Sequence, residues 1–348
     1  MDRLEELTLG LNQGKSLGAQ EVAQACELLA SEGLDQPKAD FLTALAKKGE
    51  TSEEVTFFAR EFRARAVDPQ VSEFSSQAID IVGTGGDHAG GFNVSSLVVL
   101  TLASANVPVM KHGNRGITSK CGSADLISAL GFKIDAPREI LNKALHELGY
   151  AFFFAPHFHP AFKHIAPVRK QLAAQGQRTI FNILGPLMNP GRPAHIMLGV
   201  YALPWVKRLA ASLDALGMSA GLVVYGELPD SKGTDELTTA SLNHVQGVGR
   251  LKTVSDIWDA TTFGLEKASF EELKGSDLAT NLSIVDSLVA GNAPKGLVDT
   301  IALNASLGLW IVGKTRDPKE GYLYAKDLLL GGAVKNKIEQ TREFFVKP

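Results

Sequence analysis

Cysteine is nearly absent from this chain: Cys26 and Cys121 are the two thiols in 348 residues. They have neither zinc-site spacing nor the numbers for a disulfide framework, which fits a reducing compartment. No uninterrupted apolar stretch approaches the roughly 20 residues of a membrane span, and the mixed, acidic opening MDRLEELTLGLNQGKSL lacks a signal peptide's basic start and apolar core. A cytoplasmic protein without a membrane partner is expected. A surplus of positive charge is lacking too. The formal net charge of -3 supplies no basic field for counterion release, so nucleic acid is not expected as a partner. With 45% hydrophobic and 21% charged residues, the chain is ordinary globular material, long enough to bury a large core and to divide in two.

From Leu4 to about Val67 apolar residues recur at helical spacing, as in EEVTFFAREFRARA, and predict a small helical domain. VDPQVSEFSSQ, residues 67–77, reads as a polar linker. The texture then changes. AIDIVG is a short strand entering a glycine loop, FNVSSLVVLTLASAN a helix opened by Ser95 or Ser96, and VPVMKHG a second buried strand. This is the alternation of a parallel α/β unit. GSADLISALG followed by FKID predicts another helix and strand, as do PWVKRLAASLDALGM and AGLVVYGE. Residues 156–193, rich in Pro, His and Arg, fit neither period and are expected to be loops crossing between domains.

Four clusters carry chemistry. Gly83-Thr84-Gly85-Gly86-Asp87 follows the first strand and leads to Asn93-Val94-Ser95-Ser96 at a helix start. Glycines allow close backbone approach and a helix N-terminus offers free N–H groups, an arrangement suited to a diphosphate. A tight turn would explain the glycines alone; Asp87, a carboxylate inside a phosphate loop, asks for a metal or hydroxyl partner. The second cluster, Lys111-His112-Gly113-Asn114-Arg115 with Thr118, Ser119 and Ser123, falls at the same sheet edge and describes a phosphate clamp. Singly, Lys111 could be a solvated lysine and Arg115 a partner for Asp125. The third is the exposed acidic pair Asp235-Glu236 after LVVYG, suited to Mg²⁺, which takes a few carboxylates plus substrate oxygens; alone, such a pair is an ordinary solvated turn. The fourth runs from His157, His159 and Pro160 through Phe162, Lys163, His164 and Arg169 to Arg178, Asn182 and Gly185. Its rings, prolines and arginine suit a planar aromatic acid, the guanidinium forking the carboxylate. The prolines work against a helical zinc display by the three histidines.

In this order, DIVGTGGD, KHGNR with SKCGSAD, HPAFKHIAPVR and RTIFNILGPLMNP resemble the anthranilate phosphoribosyltransferases of tryptophan biosynthesis, and the similarity runs over nearly the whole chain. KKGET and the late LNAS, Leu303 to Ser306, agree. The resemblance implies a small α-helical N-terminal domain, residues 1–72, joined by a helical segment near 165–190. A large α/β domain over 73–348 with a central, mostly parallel sheet follows, a fold shared with the pyrimidine nucleoside phosphorylases. It further implies a homodimer formed through the helical part. The implied reaction joins anthranilate and 5-phosphoribosyl 1-pyrophosphate, giving N-(5-phosphoribosyl)anthranilate and pyrophosphate, with Mg²⁺ as cofactor.

Carried over position by position, Gly83, Thr84, Gly86, Asp87, Gly91, Asn93, Val94, Ser95 and Ser96 fall in the donor-binding stretch. So do Lys111, His112, Gly113, Asn114, Arg115, Ser119 and Ser123. Ser95, Asp235 and Glu236 match the Mg²⁺ ligands. Gly83, His112, Asn114, His159, Phe162, Arg169 and Gly185 fall on the anthranilate side, and the catalytic role rests on Asp87, Lys111, Asn114 and Arg169. The chain departs from the family at Gly91, where threonine is usual, at Gly116 and Cys121, where serines are common, and at Tyr225, which replaces a frequent histidine. A few extra residues stand in LAAQGQ and ELPDSKG.

The implied chemistry needs no Ser-His-Asp or Cys-His constellation, because the acceptor amine is neutral at pH 7 and rate comes from positioning and electrostatics. The alternatives are a phosphoribosyltransferase or nucleoside phosphorylase of the same fold with another acceptor, and a catalytically silent paralogue that binds nucleic acid.

Overall fold

The structure, a computed structural model, describes residues 2–115, 120–229 and 232–346. Four helices open it: α1 (Arg3–Asn12), α2 (Ala19–Ala30), α3 (Asp35–Lys48) and α4 (Ser52–Ala64). KKGET makes the corner between the last two. Gly49 ends α3 at φ 86°, a backbone conformation that favours glycine. Thr51 then caps α4 reciprocally, its hydroxyl accepting from Glu54 N at 3.2 Å while Thr51 N donates to Glu54 Oε2 at 2.8 Å.

After the four-residue α5 (Ser72–Ser75), strands and helices alternate. In chain order they are β1 (Ile79–Gly83), α6 (Val94–Ser104), β2 (Val109–Gly113), α7 (Ser123–Ala129), α8 (Arg138–Leu148) and β3 (Tyr150–Phe154). The short α9 (Ala155–Phe158), α10 (Ala166–Ala174) and α11 (Phe181–Leu184) lead to β4 (His195–Gly199), α12 (Pro204–Ala215), β5 (Ala220–Glu227) and β6 (Gly233–Thr234). Antiparallel β7 (Leu242–Gly249) and β8 (Ser255–Trp258) precede the last four helices. These are α13 (Leu278–Val289), α14 (Lys295–Ile311), α15 (Pro318–Leu330) and α16 (Ala333–Val346).

The sheet runs β3-β2-β1-β4-β5-β7-β8, with β6 paired to β5. Strands β1 to β5 are mutually parallel, as the mostly parallel expectation has it. Chain order reverses about β1, between β2 on one side and β4 on the other, so their carboxyl ends flank the crevice where open α/β sheets bind ligands. Side-chain alternation splits the core in two. Ile79, Ile81, Met197, Leu222 and Val224 face one apolar cluster with α6, α8 and α14. Val82, Ile196, Leu198 and Val223 face the other, where the sheet meets α1 to α4, α10 and α12. Ile165, Val168, Leu172 and Ile180 join this second cluster, so the segment around α10 packs with the opening helices.

Several local expectations are corrected. FKID forms no strand: Phe132 and Ile134 are buried, but Phe132 packs its ring on Tyr150 and Phe345 within a turn, and the third strand is β3. The linker at 67–77 contains α5 and buries Val71. Residues 156–193 are largely short helical turns rather than extended loops, because their apolar residues pack against α3 and α4. The N-cap position of α6 is Asn93, two residues before Ser95, and its side chain makes no capping hydrogen bond. Among the described residues no helix is long and apolar enough to cross a membrane.

Candidate active site

Strand β1 ends at Gly83 opposite Gly199 of β4, and the turn carrying Asp235 lies directly over both. A Cβ at Gly83 would stand 2.3 Å from Asp235 Oδ2, and one at Gly199 1.6 Å from the Asp235 carbonyl oxygen. Glycine is therefore demanded by close approach at both strand ends. The glycine loop bends back through Gly85 (φ 68°) and Gly86 (φ 76°). Thr84 pins its start, its N–H donating to Gly199 O at 2.9 Å and its hydroxyl accepting from Tyr201 N at 3.0 Å. Gly85 N donates to Asp235 Oδ2 at 2.6 Å, so the carboxylate already sits where an anion meets the loop backbone. Asp87 Oδ2 accepts from Asp235 N at 3.4 Å. Beyond it, Gly91 bridges Lys274 and Phe92 N donates to Leu273 O at 2.8 Å, anchoring the loop's far side.

Asn93 ties this loop to the second, its amide donating to the carbonyls of Cys121 at 3.2 Å and Gly122 at 3.5 Å. Val94 points into the core, leaving only its backbone near the loop, and Ser96 is fully buried with its hydroxyl unpartnered. Ser95 faces the acids: its N–H donates to Glu236 Oε1 at 3.4 Å and its hydroxyl accepts from Lys111 Nζ at 3.4 Å. Lys111 stands within β2, buried, with Nζ donating to Ile81 O at 2.6 Å, so it is no solvated lysine. Asn114 and Arg115 stand exposed after the strand. Arg115 is drawn to Asp125 at 3.1 Å, and its alternative as a simple ion-pair partner is the one this structure displays. Gly113 passes against Phe152, and Ser123 opens α7 next to it. Ser119 and Thr118, with the departure at Gly116, lie outside the described residues.

Asp235 and Glu236 are half-buried rather than exposed, because their turn is folded onto the strand ends. Burial, then the negative charge of Asp87, raises the Asp235 carboxyl to about 7. Burial, then Asp235, raises Glu236 to about 8. Beneath them Asp80, fully enclosed, is raised to about 7 by burial against the pull of Lys111. Burial lowers Lys111 while these acids hold it up. The cluster thus carries more carboxylates than cations, a deficit that a divalent cation would relieve. Among the described residues no three His, Cys, Asp or Glu side chains converge as a finished cage. Two acids and the Ser95 hydroxyl, completed by a ligand's oxygens, are what a magnesium-like ion accepts.

Behind β2 the surroundings change to rings. His112 and His159 are buried with their Nε2 atoms 3.2 Å apart, and His112 Nδ1 donates to Gly185 O at 3.1 Å. That bond keeps the His112 proton on Nδ1, so its Nε2 meets the His159 ring without a proton. Burial drives the imidazoles down, to about 3 for His112 and about 4 for His159, so both are neutral. His159 stacks on Phe162 at 5.4 Å, and Phe162 packs edge-on against Phe62 and Phe181. Arg169 on α10 lies over Phe181 at 5.2 Å. Burial alone lowers its guanidinium; among the described residues no carboxylate neutralises it.

Two supports, Asp80 and Gly199, stand outside the sequence reading, and a third, Arg178, takes another role than the one read there. Asp80, a charge inside an apolar strand, was the readable signal: its oxygens accept from Asn189 Nδ2 at 2.8 Å and His112 N at 3.3 Å, fixing the end of β2. Gly199 left no comparable signal. Arg178, read as part of the aromatic wall, instead donates to Gly86 O at 2.6 Å.

Comparison with known proteins finds relatives over nearly the whole chain. The family described as "Glycosyl transferase family, a/b domain" matches residues 75–335. The bifunctional protein TrpGD of Thermotoga maritima is 37% identical over 91% of this chain, which spans 52% of that longer protein. The anthranilate phosphoribosyltransferase of Thermus thermophilus is 40% identical over 90% of either chain. Its crystal structure superposes with a TM-score of 0.89 at 38% identity, covering 99% of this chain and 100% of that one. A Saccharomyces cerevisiae anthranilate phosphoribosyltransferase solved with PRPP and Mg shares the fold, with a TM-score of 0.86 at 22% identity over 99% and 98% of the two chains. The chain belongs to this glycosyl transferase family and, within it, to the anthranilate phosphoribosyltransferases.

Proposed function

We infer that the chain transfers the phosphoribosyl group of 5-phosphoribosyl 1-pyrophosphate to the amine of anthranilate, releasing pyrophosphate, as a step of tryptophan biosynthesis. The observation that carries this reading is the contact of the acidic turn with the glycine loop, Asp235 Oδ2 to Gly85 N at 2.6 Å. It puts a mutually repelling acid pair beside an anion-binding backbone. Asp235, Glu236 and the Ser95 hydroxyl would hold Mg²⁺, which would supply the positive charge that the acids and the leaving pyrophosphate need. The glycine loop and the start of α6 face the phosphates, and Lys111 supplies a buried positive charge from below. Arg169 forks the anthranilate carboxylate over Phe181, turning the amine toward the sugar. Asn114 and Gly83 stand between the two substrates. The neutral pair His112 and His159 adds no charge to the acceptor side, where a neutral amine attacks without a strong base.

Three further assignments belong to this reading. Residues 1–72 with the segment near 165–190 form the helical domain, and 73–348 the catalytic one; the shared apolar cluster of α10 with α1 to α4 supports it. The helical part also forms a homodimer, for which exposed Leu9 beside Pro37 offers apolar surface. The protein works in the cytoplasm, which two free, buried cysteines suit. A continuous assay of anthranilate fluorescence with donor and Mg²⁺, run beside a phosphate-dependent nucleoside cleavage assay, tests the activity. Loss of fluorescence matched by pyrophosphate release is expected; phosphate-dependent cleavage alone would replace the reading with the phosphorylase alternative.

A further inference from the structure

We propose that Arg178 is a positioning residue that clamps the glycine loop in its anion-binding shape, with the Tyr201 ring as its platform. The guanidinium lies 3.7 Å from the centre of the Tyr201 ring and donates through Nη2 to the carbonyl of Gly86 at 2.6 Å. Gly86 is the second of two consecutive residues with positive φ, 68° and 76°, and such a turn aims successive N–H groups to one side. A carbonyl held from outside cannot rotate inward, where it would face the phosphates with negative charge. The other side of the turn is fixed through Tyr201, whose backbone N–H reaches the Thr84 hydroxyl at 3.0 Å. One residue therefore grips the loop twice, by its backbone directly and by its ring through Arg178.

The platform is itself braced. Trp205 Nε1 donates to the Tyr201 hydroxyl at 3.0 Å, so the ring face is set from α12. Among the described residues no carboxylate lies within ion-pair distance of Arg178, so stacking and one carbonyl bond are what orient it. The head group is exposed. Its contacts add little to the stability of the fold, which separates loop shaping from folding in an experiment. Arg178 also lies between Arg169 and Gly185 in sequence, on the stretch assigned above to the acceptor, so the clamp joins the two halves of the site. The proposal rests on the donor and acceptor reading given above.

The test measures donor binding by calorimetry with Mg²⁺, steady-state KM for each substrate, and melting temperature, for the full chain. Arg178→Ala is expected to weaken the donor roughly tenfold or more, the scale of a charged hydrogen bond, with little change in the anthranilate KM or in melting. Tyr201→Ala, at a residue whose side chain is not expected to touch the donor, should reproduce that loss, while Tyr201→Phe keeps the ring and should recover most of it. The Arg178→Ala/Tyr201→Ala double variant should be no worse than either alone. A donor loss in Arg178→Ala but not in Tyr201→Ala would overturn the clamp in favour of direct contact with the donor. Equal loss of both substrates with early melting would reduce Arg178 to a structural residue. If both variants bind the donor as the wild type does, the clamp is wrong while the functional reading stands; a wild-type chain that binds no donor overturns the functional reading itself.

Discussion

The two halves of the site are unbalanced in opposite directions. On the glycine-loop side Asp80, Asp87, Asp235 and Glu236 outnumber the one buried ammonium of Lys111, and Asp80, Asp235 and Glu236 are pushed toward neutrality by burial, then for Asp235 by Asp87 and for Glu236 by Asp235. On the side of the rings one guanidinium, Arg169, sits among aromatic groups and two neutral imidazoles, and among the described residues no acid answers it. Each half is costly alone, and in the function proposed above each is satisfied by a ligand of opposite charge: a cation and its phosphates in one place, a carboxylate in the other. The imbalance, more than any single contact, distinguishes a site from a structural ion-pair network.

Removing the negative excess should break the comparison most severely. Asp235→Asn with Glu236→Gln is expected to lower kcat about 10²- to 10³-fold and to raise the Mg²⁺ needed for half-maximal rate. Melting temperature without metal should hold or rise, because two reluctant charges are gone. Unchanged rates at low Mg²⁺ would take these residues out of the site. Next comes the geometry beneath them. Gly199→Ala puts a methyl into the Asp235 backbone, and the displaced turn should cost on the order of 10²-fold in kcat/KM, read out with the same Mg²⁺ titration. Normal Mg²⁺ dependence would show that the turn is not held by this approach.

Neutralising the other half should hurt one substrate only. Arg169→Ala is expected to raise the anthranilate KM roughly ten- to a hundredfold while the donor KM barely moves, and Arg169→Lys should recover part of the loss because an ammonium lacks the planar fork. A variant that melts early and loses both substrates equally would make Arg169 a structural pin. The smallest effect belongs to the imidazoles. His112 and His159 are depressed in the folded chain, so between about pH 4 and 6.5 the unfolded state binds more protons. Their stabilisation is full above the unfolded value and is lost as pH falls toward the folded ones. Wild type should lose roughly 3 to 4 kcal/mol of stability from this source between pH 7 and 5, and His159→Phe, which keeps a ring against Phe162, should lose less. Identical pH profiles in chemical denaturation would show that the pair titrates normally.

Much of this was legible in the sequence where signals are local. AIDIVG, VPVMKHG and AGLVVYGE are apolar runs with a glycine at or next to their end, and all three contain strands. The KKGET corner could be read from a helix-ending glycine and a capping threonine. FKID misled because alternate burial of Phe132 and Ile134 serves ring packing in a turn, a demand that looks like a strand's. The strand HIMLG was overlooked beside a proline-rich stretch, and with it Gly199. Long-range contacts left no trace: Gly85 meets Asp235 across 150 positions, and Gly86 meets Arg178 across 92. Motif strings therefore located the loops, but which carbonyl or N–H each side chain holds came only from the fold.

The central claim is that one site joins a pyrophosphate donor to an aromatic acid with help from a divalent cation. The most direct measurement is the initial rate of anthranilate fluorescence loss with 5-phosphoribosyl 1-pyrophosphate, with and without Mg²⁺, and with pyrophosphate quantified in the same samples. One pyrophosphate is expected for each anthranilate consumed, with a rate that collapses on chelation. Pyrophosphate release that does not depend on anthranilate, or no loss of anthranilate at any Mg²⁺ concentration, would contradict it.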